Sequence, residues 1–495
     1  MTALLVIDVG TTGLRAAVVG DDARIHELDY RPLPPSTPFP GLVEFDAAAM
    51  SDLVLDAARS VMASGHVVDA VGITNQRAST IVWDRGTGVP VGPGLGWQDL
   101  RTVNECLTAR AEHGLALAPN QSATKVAWLL DSVDAGGTGA GADSRERDLC
   151  FGTVDSWLVW VLSAGERHVT DPTNASVTGL MRVDGSGWDE AVCDVLRIPL
   201  SMLPEIVDTA GATVAEATLL EGSPPITAVA GDQQASLVGQ GCVHAGMTKI
   251  TFGTGGMLDV CSGQHPPERA SRSAHGTFPI VAWSLGGRRT WAREAIMLAA
   301  GSNVDWLSED LGLFEKSADS SELAARCETS EGTMYVPALL GLGTPYWDYG
   351  ARATLVGMTR GTTAAHVTRA VLEGVAHRGA DLVEAAEGDL DVDIPSLRID
   401  GGMSRNGVFV QAVATASQLR VEVSPVVEAT TLGAGYLAGI AAGAWSGLDE
   451  IASTWNPSSV VDPGPAAAAS ESRERWHSAV ERSAGWIAEL SGLDF

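Results

Sequence analysis

The sequence has no arrangement of cysteines that indicates a disulfide framework or a zinc site. Its cysteines are Cys106, Cys150, Cys193, Cys242, Cys261 and Cys327. They form no CxxC pair and no spacing typical of metal ligands, which excludes disulfide-stapled and zinc-ribbon proteins. We expect isolated core thiols in a protein from a reducing compartment.

Positive charge is scarce in this chain. The sequence has 32 Lys and Arg residues against 61 Asp and Glu residues, which gives a net charge of −29. Such a surface repels the phosphate backbone of nucleic acids and anionic lipid headgroups, so we expect neither as a partner. An anionic substrate would need hydrogen-bond donors or a metal ion supplied locally by its site.

Long apolar runs are also missing, because no stretch of about 18 consecutive apolar residues occurs. The N terminus begins directly with a strand-like segment and lacks the basic region and cleavage site of a signal peptide. We therefore expect a cytoplasmic protein without membrane insertion. With 495 residues, of which 45% are hydrophobic, the chain is long enough for at least two large domains.

The segment DVGTTGLRA at 8–16 predicts a turn that faces phosphate. Apolar strands are predicted at 4–8 and 14–19, and the glycines of the turn at 10–13 let backbone N–H groups approach an anion. Asp8 lies beside this turn, where it can either hold a magnesium ion through a carboxylate oxygen or cap the turn. The spacing alone leaves both interpretations open.

A second copy of this pattern begins near residue 247. The segment MTKITFGTGGMLDV again gives an apolar strand, a Gly-Thr-Gly turn at 253–255 and another strand. We interpret the similarity as an internal duplication, with one domain at 1–246 and another at 247–495. Two such turns facing each other would place a nucleotide in the cleft between the domains.

The rest of the chain alternates between strand and helix patterns, which indicates the α/β class. Further strands are predicted at 68–73, 79–83 and 226–230, and helices at 125–131, 154–162 and 291–307. A strand from Leu397, a turn at Gly401-Gly402 and a helix begun by Asn406 are predicted next. A surface loop is predicted at 135–143, and a linker at 462–472 leads to a predicted helix at 473–490.

Two polar clusters directly follow predicted strands. ITNQR at 73–77 places two amides and Arg77 after one strand, and GDQQ at 231–234 places Asp232 after another. In α/β proteins, reacting groups usually lie at strand ends. A carboxylate there can take the proton of a substrate hydroxyl. The competing interpretation of Asp232 is a helix N-cap.

Taken together, these segments resemble the FGGY family of carbohydrate kinases, and among them the glycerol kinases most. The motifs that carry the resemblance are, in chain order, DVGTTGLRA, PGLVEFD, ITNQR, WQDLRT, GTVDSWLVW, HVTDPTNAS, GDQQASLVGQ, KITFGTGG, VPALLGLGTPYWD, GMTRGTTAAHVTRAVLEGVA, DGGMSRNGVFVQ and TTLGAGYLAG. They keep their order over nearly the whole chain, which excludes chance.

The resemblance implies an actin-like ATPase (ribonuclease-H-like) fold with two duplicated domains around a nucleotide cleft. It also implies transfer of the γ-phosphoryl group of ATP, with Mg2+, to a hydroxyl of a small polyol or sugar. Asp232 would be the catalytic base and, with Asp8, would face the metal. Residues expected to bind the nucleotide are Thr11, Thr12, Arg15, Gly253, Thr254, Gly255, Gly402 and Asn406. Residues expected to bind the acceptor are Gln76, Arg77, Trp97, Asn120, Gln233 and Met257. A homodimer or homotetramer is implied as well.

Three acceptor-side positions depart from the glycerol kinase pattern. Ala78 stands where those kinases carry a glutamate that accepts hydrogen bonds from glycerol, Asn120 where they carry a tyrosine, and Met257 where they carry a phenylalanine. A buried hydroxyl left without a partner costs about 1 to 3 kcal/mol. We therefore expect either a pocket suited to a longer polyol or sugar, or water in place of the missing groups.

An ATP-dependent polyol or sugar kinase is the function that we predict from these motifs. The departures also motivate an alternative, an ATP-binding regulatory or interaction protein that has lost kinase activity, although such a protein gains little from Asp232. A third hypothesis, an actin-like or chaperone-type ATPase, shares the fold and the phosphate turns. It has no need of Arg77 or Trp97.

Overall fold

The computed structural model describes residues 2–135, 144–269, 271–390 and 393–492. The surface loop predicted at 135–143 therefore lies outside the described residues, apart from Ala135, which ends a helix. All six cysteines are free thiols, five of them buried, as predicted. Among the described residues, no helix is long and apolar enough to cross a lipid bilayer.

The first half of the chain alternates between strands and helices. Its strands are β1 (Ala3–Val9), β2 (Gly13–Gly20), β3 (Ile25–Pro32), β4 (Glu44–Phe45), β5 (Ala70–Asn75), β6 (Ile81–Asp84), β7 (Gly94–Leu95), β8 (Leu149–Gly152), β9 (Val169–Thr170), β10 (Glu205–Ile206), β11 (Ala210–Glu216) and β12 (Pro225–Gly231). Its helices are α1 (Ala47–Met62), α2 (Val103–His113), α3 (Ala123–Ala135), α4 (Val154–Leu162), α5 (Pro172–Ala175), α6 (Glu190–Leu196) and α7 (Asp232–Gly239), with 3-10 turns at Ser144–Glu146 and Leu200–Met202.

The second half follows the same alternation. Its strands are β13 (Thr248–Phe252), β14 (Gly256–Gly263), β15 (Phe278–Leu285), β16 (Arg288–Met297), β17 (Met334–Val336), β18 (Thr354–Val356), β19 (Leu397–Asp400), β20 (Val421–Val423) and β21 (Ser459–Val461). Its helices are α8 (Ser302–Glu309), α9 (Ser320–Ala324), α10 (Ala364–Asp389), α11 (Gly407–Ser417), α12 (Ala429–Ala441), α13 (Leu448–Thr454), α14 (Ala466–Ser483) and α15 (Ala488–Ser491), with 3-10 turns at Ser317–Asp319 and Gly402–Arg405.

Two groups of five strands follow one and the same path. In the order β3-β2-β1-β5-β12, the first two pairs are antiparallel and the last two are parallel. The order β16-β14-β13-β19-β20 repeats this arrangement strand for strand. Both groups belong to a 13-stranded sheet in which β11 and β15 join the halves. The repeated topology confirms the duplication and the α/β class that the sequence predicts.

Helices α7 and α12 pack against each other so closely that only glycine fits at their contact. A Cβ atom added to Gly433 would lie 1.8 Å from the carbonyl oxygen of Ala235, and one added to Gly239 would lie 1.9 Å from that of Ala429. Helix α12 also covers β1, β5 and β12, so it brings the second half of the chain against the sheet of the first. The pair positions the ends of those three strands.

The helix predicted at 291–307 is wrong over most of its length. Strand β16 occupies Arg288–Met297 and pairs with both β14 and β15, and helix α8 begins only at Ser302. The apolar residues of β16 at 291, 292, 295 and 296 recur at helical spacing, because Arg293 and Glu294 interrupt the alternation expected of a strand. The spacing therefore indicates a helix although these residues pair in a sheet.

The C-terminal helix begins earlier than predicted. Helix α14 spans Ala466–Ser483 and includes the alanines that the sequence indicates as a linker, whereas Ala484 is already extended. Alanine has the highest helix propensity, which extends the helix toward the N terminus. The side chain of Trp476 is fully buried, so the helix is a packed element of the second half.

Candidate active site

Asp232 lies at the edge of the sheet where three parallel strands end. Strand register places Val9 of β1 and Gly231 of β12 beside Asn75 of β5. Gly231 occupies the N-cap of α7 and Asp232 is the first helical residue, so the N-cap interpretation of Asp232 is wrong. The Asp232 side chain is 27% exposed, and its Oδ1 accepts a hydrogen bond from the N–H of Gln233 at 2.8 Å.

Arg77 reaches Asp232 from the end of the neighbouring strand. Its Nε lies 3.4 Å from Asp232 Oδ1, and its Nη2 donates to Glu294 Oε2 at 2.6 Å. Burial raises the pKa of the Asp232 carboxyl, whereas Arg77 acts in the opposite direction. A carboxylate with a raised pKa is a better proton acceptor than an exposed aspartate, which suits a general base.

A row of three charged side chains faces this pair from the second half of the chain. Strand pairing sets Lys249, Asp259 and Glu294 side by side on β13, β14 and β16. Lys249 Nζ lies 2.7 Å from Asp259 Oδ2 and donates to the Oε1 of Gln233 at 2.7 Å. The row therefore holds the amide of Gln233 as well as the guanidinium of Arg77.

Burial and repulsion from Asp259 raise the pKa of Glu294 above its ordinary value, although Arg77 lowers it. Glu294 was missed by sequence reasoning because it falls in the segment predicted as a helix.

The next row of the same sheet face, nearer the turn at 253–255, contains Met257 between Thr251 and Ile296. Met257 is half-buried there, two residues before Asp259 on its strand.

The first glycine turn, at 10–13, is closed by a hydrogen bond from the N–H of Gly10 to the carbonyl of Gly13, at 2.9 Å. Asp8 stands directly before it and accepts a hydrogen bond from Thr431 Oγ1 of α12 at 2.8 Å. Burial raises the pKa of Asp8 to about 6, and the charge of Asp232 contributes to that rise. The two carboxylates are thus close enough to interact, and carboxylate oxygens are ligands that Mg2+ prefers.

Arg15 is less free to meet phosphate than its motif suggests. Strand register places it opposite Asp8, with Nη1 at 3.9 Å from Asp8 Oδ2. Its Nε lies 3.0 Å from Glu428 Oε2, and its guanidinium lies over the ring of Tyr30. A phosphate group at this turn would compete with Glu428 for Arg15. Thr12, in the same turn, is exposed.

The second glycine turn, at 253–255, is held by hydrogen bonds from the segment before α8. The N–H groups of Ala300 and Gly301 donate to the carbonyls of Thr254 and Gly253, each at 2.8 Å. Thr254 is exposed, whereas the glycines on either side of it are half-buried. The turn has the position that its counterpart at 10–13 has in the first half, as the shared strand topology requires.

Gly402 and Asn406 lie where the strand β19 gives way to helix α11. A Cβ atom at Gly402 would meet no described heavy atom within 4 Å, and the neighbouring Gly401 and Arg405 line a groove of about 450 Å³. The Asn406 Oδ1 caps α11 by accepting from two backbone N–H groups, and its Nδ2 donates to Ser320 Oγ at 3.1 Å. There is room here for a nucleoside beside backbone.

Trp97 contacts the glycine turn at 10–13. Its ring is 38% exposed, and its Nε1 donates to Thr11 Oγ1 at 3.1 Å. Lys125, which is fully buried, holds the backbone of this segment by donating to the carbonyls of Gly96 and Trp97 at 2.7 and 3.2 Å. Gln76 is buried, and it lines a small cavity behind Thr11.

Two of the three residues that differ from the glycerol kinase pattern, Ala78 and Asn120, lie on neighbouring segments. Ala78 is buried in a left-handed conformation with φ 59°, and its carbonyl accepts from Ser122 Oγ at 3.1 Å. Asn120 is exposed two residues before Ser122. The alanine turns the chain directly after Arg77 and adds no polar side-chain atom to the site.

A short helix behind the strand ends supports the site, and the sequence did not indicate its role. Asp171 caps α5, and Thr173 Oγ1 accepts a hydrogen bond from the N–H of Gly231 at 2.8 Å. Asn174 Oδ1 accepts from Asn75 Nδ2 at 3.0 Å. The motif TDPTNA therefore holds the backbone of Gly231, which precedes Asp232, and the side chain of Asn75, which precedes Gln76.

Comparisons with known proteins agree along the whole chain. Residues 3–239 match the N-terminal domain of the FGGY family of carbohydrate kinases, and residues 248–442 match its C-terminal domain. A glycerol kinase from Aromatoleum aromaticum is 41% identical over 99% of this chain and 100% of its own. One from Deinococcus radiodurans is 40% identical over 98% of each chain.

Solved structures give the same result for the fold. The crystal structure of Plasmodium falciparum glycerol kinase with ADP is similar with a TM-score of 0.87 at 28% identity, covering 98% of each chain. A ligand-bound xylulose kinase from Lactobacillus acidophilus gives 0.85 at 19% identity over 99% of each chain, which bears on the fold alone. The predicted two-domain, actin-like fold is confirmed.

Proposed function

Because the chain belongs to the FGGY family of carbohydrate kinases and is thus an ATP-dependent polyol or sugar kinase, we propose that Asp232 is its catalytic base. The observation that carries this proposal is the position of the Asp232 carboxylate, partly exposed at the strand edge beside Arg77 and near Asp8. A purely regulatory ATP-binding protein would gain nothing from a carboxylate so placed, so we do not retain that alternative.

In the proposed reaction, the acceptor hydroxyl donates its proton to Asp232 as its oxygen attacks the terminal phosphorus of ATP. Arg77 and Gln233 bind neighbouring hydroxyls, and the exposed face of Trp97 packs against the carbon chain of the acceptor. Positioning of this kind supplies most of the catalysis in phosphoryl transfer, because the protein has little covalent chemistry to perform.

The nucleotide would lie between the two glycine turns, with Thr11, Thr12 and Thr254 beside the phosphates. Its nucleoside would lie by Gly402, where the backbone is open, and near Asn406. Asp8 and Asp232 are the residues that would hold Mg2+, which when bound to ATP neutralises charge on the phosphates.

We propose a small polyol as the acceptor, with glycerol as the reference compound. The relatives at 40 to 41% identity are glycerol kinases. Ala78 offers no acceptor to a glycerol hydroxyl, and an unpartnered hydroxyl would weaken binding by a factor of about 5 to 150. A longer polyol or a sugar whose binding does not depend on a hydrogen-bond acceptor at position 78 would avoid that loss.

The test is a panel of three- to six-carbon polyols and sugars, incubated with purified protein and Mg-ATP. ADP release is followed by a coupled assay, and the phosphorylated product is identified by mass spectrometry. Asp232→Asn, which keeps the side-chain shape, should lower kcat by about 10²- to 10⁴-fold, while calorimetry without Mg2+ shows unchanged ATP binding. The control is Asp148→Asn, at a carboxylate that is 76% exposed and bonded to Arg85.

Two outcomes would refute the proposal: no phosphorylated product from any acceptor on the panel, or wild-type turnover by Asp232→Asn.

We further propose a domain boundary between residues 246 and 247, a cytoplasmic location and a homodimer or homotetramer. The net charge of −29 and the lack of paired cysteines support the location. Light scattering of the purified protein would give the oligomeric state.

A further inference from the structure

The contact between Arg77 and Glu294 is a link between the two halves of the chain inside the site. Arg77 follows β5 of the first half, and Glu294 belongs to β16 of the second, 217 residues later. Their side chains are only 9% and 3% exposed. A charge-assisted hydrogen bond of 2.6 Å between largely buried groups restricts the guanidinium far more than an exposed ion pair would.

The three guanidinium nitrogens of Arg77 indicate why its side chain is held in one orientation. Nε faces Asp232 at 3.4 Å and Nη2 is bonded to Glu294. Nη1 is buried and has no hydrogen-bond partner within the part of the chain that the structure describes. A buried donor without a partner is unfavourable, which is the situation expected of a group that a bound hydroxyl completes.

Glu294 is followed on the same sheet face by two further charged side chains. Asp259 stands beside it on β14, and Lys249 beside Asp259 on β13, both with fully buried side chains. Lys249 then donates to the Oε1 of Gln233 at 2.7 Å. The row of Lys249, Asp259 and Glu294 thus contacts Gln233 at one end and Arg77 at the other.

We propose that Glu294 is the positioning residue that aims Arg77 at the acceptor, with Lys249 offsetting the charge of Asp259 beside it. This inference rests on the proposed function, since it assigns Glu294 a task only if Arg77 binds the acceptor. Glu294 does not touch the acceptor in this assignment; it fixes the direction of the free Nη1 donor. Because the nucleotide lies by the glycine turns and Gly402, its binding is independent of Glu294.

The experiment compares steady-state kinetics of the wild type, Glu294→Gln and Glu294→Asp, with acceptor and ATP varied separately. Glu294→Gln keeps the shape and one acceptor oxygen but removes the charge from a bond to Arg77, which is worth a factor of about 10 to 150. We expect the acceptor KM to rise by about 10-fold or more and the ATP KM to change less than two-fold. Glu294→Asp keeps the charge and should recover part of the acceptor affinity.

The matched control is Glu373→Gln on α10, at a partly buried glutamate that binds Arg369 at 2.9 Å outside the site. It should leave both KM values unchanged. Thermal unfolding of each variant, with calorimetric binding of the preferred acceptor, separates misfolding from mispositioning, because misfolded protein lowers the active fraction without raising KM. Asp259→Asn, which leaves the Arg77 contact intact, should give a smaller rise in acceptor KM than Glu294→Gln.

The outcomes separate this inference from the proposed function. Wild-type protein that neither binds nor phosphorylates any acceptor refutes the kinase site, and the inference falls with it. Wild-type turnover combined with an unchanged acceptor KM in folded Glu294→Gln overturns the role of Glu294 alone. Equal rises in both KM values, or a fall in kcat only, would show a structural role and also overturn it.

Discussion

Replacement of Gly433 by alanine tests whether the contact between α7 and α12 sets the geometry of the site. The added Cβ would lie 1.8 Å from the carbonyl oxygen of Ala235. Ordinary contact between such atoms needs roughly 3.4 Å or more, so the helices must separate by roughly 1.5 Å. The obstacle is backbone on both sides, because the nitrogen of Gly239 would also lie 2.7 Å away.

Two opposing effects decide the magnitude for stability. Overpacking of a close contact typically costs about 1 to 3 kcal/mol, and sometimes more. Alanine is intrinsically better than glycine in a helix by about 1 kcal/mol, which offsets part of that cost. We therefore expect the free energy of unfolding of Gly433→Ala to fall by up to about 2 kcal/mol.

The effect on catalysis should be larger than the effect on stability. Helix α7 begins with Asp232, and α12 carries Thr431, whose hydroxyl binds the carboxylate of Asp8. A separation of the two helices therefore moves the two carboxylates relative to each other. Since a displacement of about 1 Å can cost about 100-fold in rate, we expect kcat to fall by about that factor.

Urea denaturation and the coupled kinase assay on the same preparations measure both quantities. Gly407→Ala serves as the control, because a Cβ there would meet no heavy atom of the described residues within 4 Å. It should retain wild-type stability or gain slightly. If Gly433→Ala unfolds at the wild-type urea concentration with wild-type kcat, the helices tolerate separation and the reasoning from their contact is refuted.

Two further predictions concern a buried cation and a helix cap. Burial lowers the pKa of Lys125 from its usual 10.5 to about 7. Between those values the unfolded chain holds one more proton than the folded chain, so stability relative to Lys125→Met should rise with pH, by up to about 1.4 kcal/mol per pH unit. Denaturation at pH 7.5 and 9 measures this, and a constant difference would contradict it. Asn406→Ala should cost about 1 kcal/mol by removing the cap of α11 and should raise the KM for ATP. Asp46→Ala, at the cap of α1, should cost as much without changing that KM; equal KM values in both variants would exclude Asn406 from nucleotide binding.

Local sequence determined the two glycine turns and the strands before them. At 8–16 and 248–260, an apolar run, a glycine turn and a second run are enough to specify a hairpin, because each depends on neighbours within a few residues. The same holds for Asp232, which follows an apolar strand and a glycine and therefore emerges at a strand end. The predicted fold class and the family followed from such segments and their order.

Tertiary structure decided which distant residues share the site. Lys249, Asp259 and Glu294 become neighbours only through the register of β13, β14 and β16, and the last of these strands was predicted as a helix. Its apolar residues at 291, 292, 295 and 296 have the spacing of a helix, because Arg293 and Glu294 interrupt the alternation of a strand. Arg77 binds Glu294 because the sheet brings the halves together, and no local pattern encodes a contact between residues 217 positions apart.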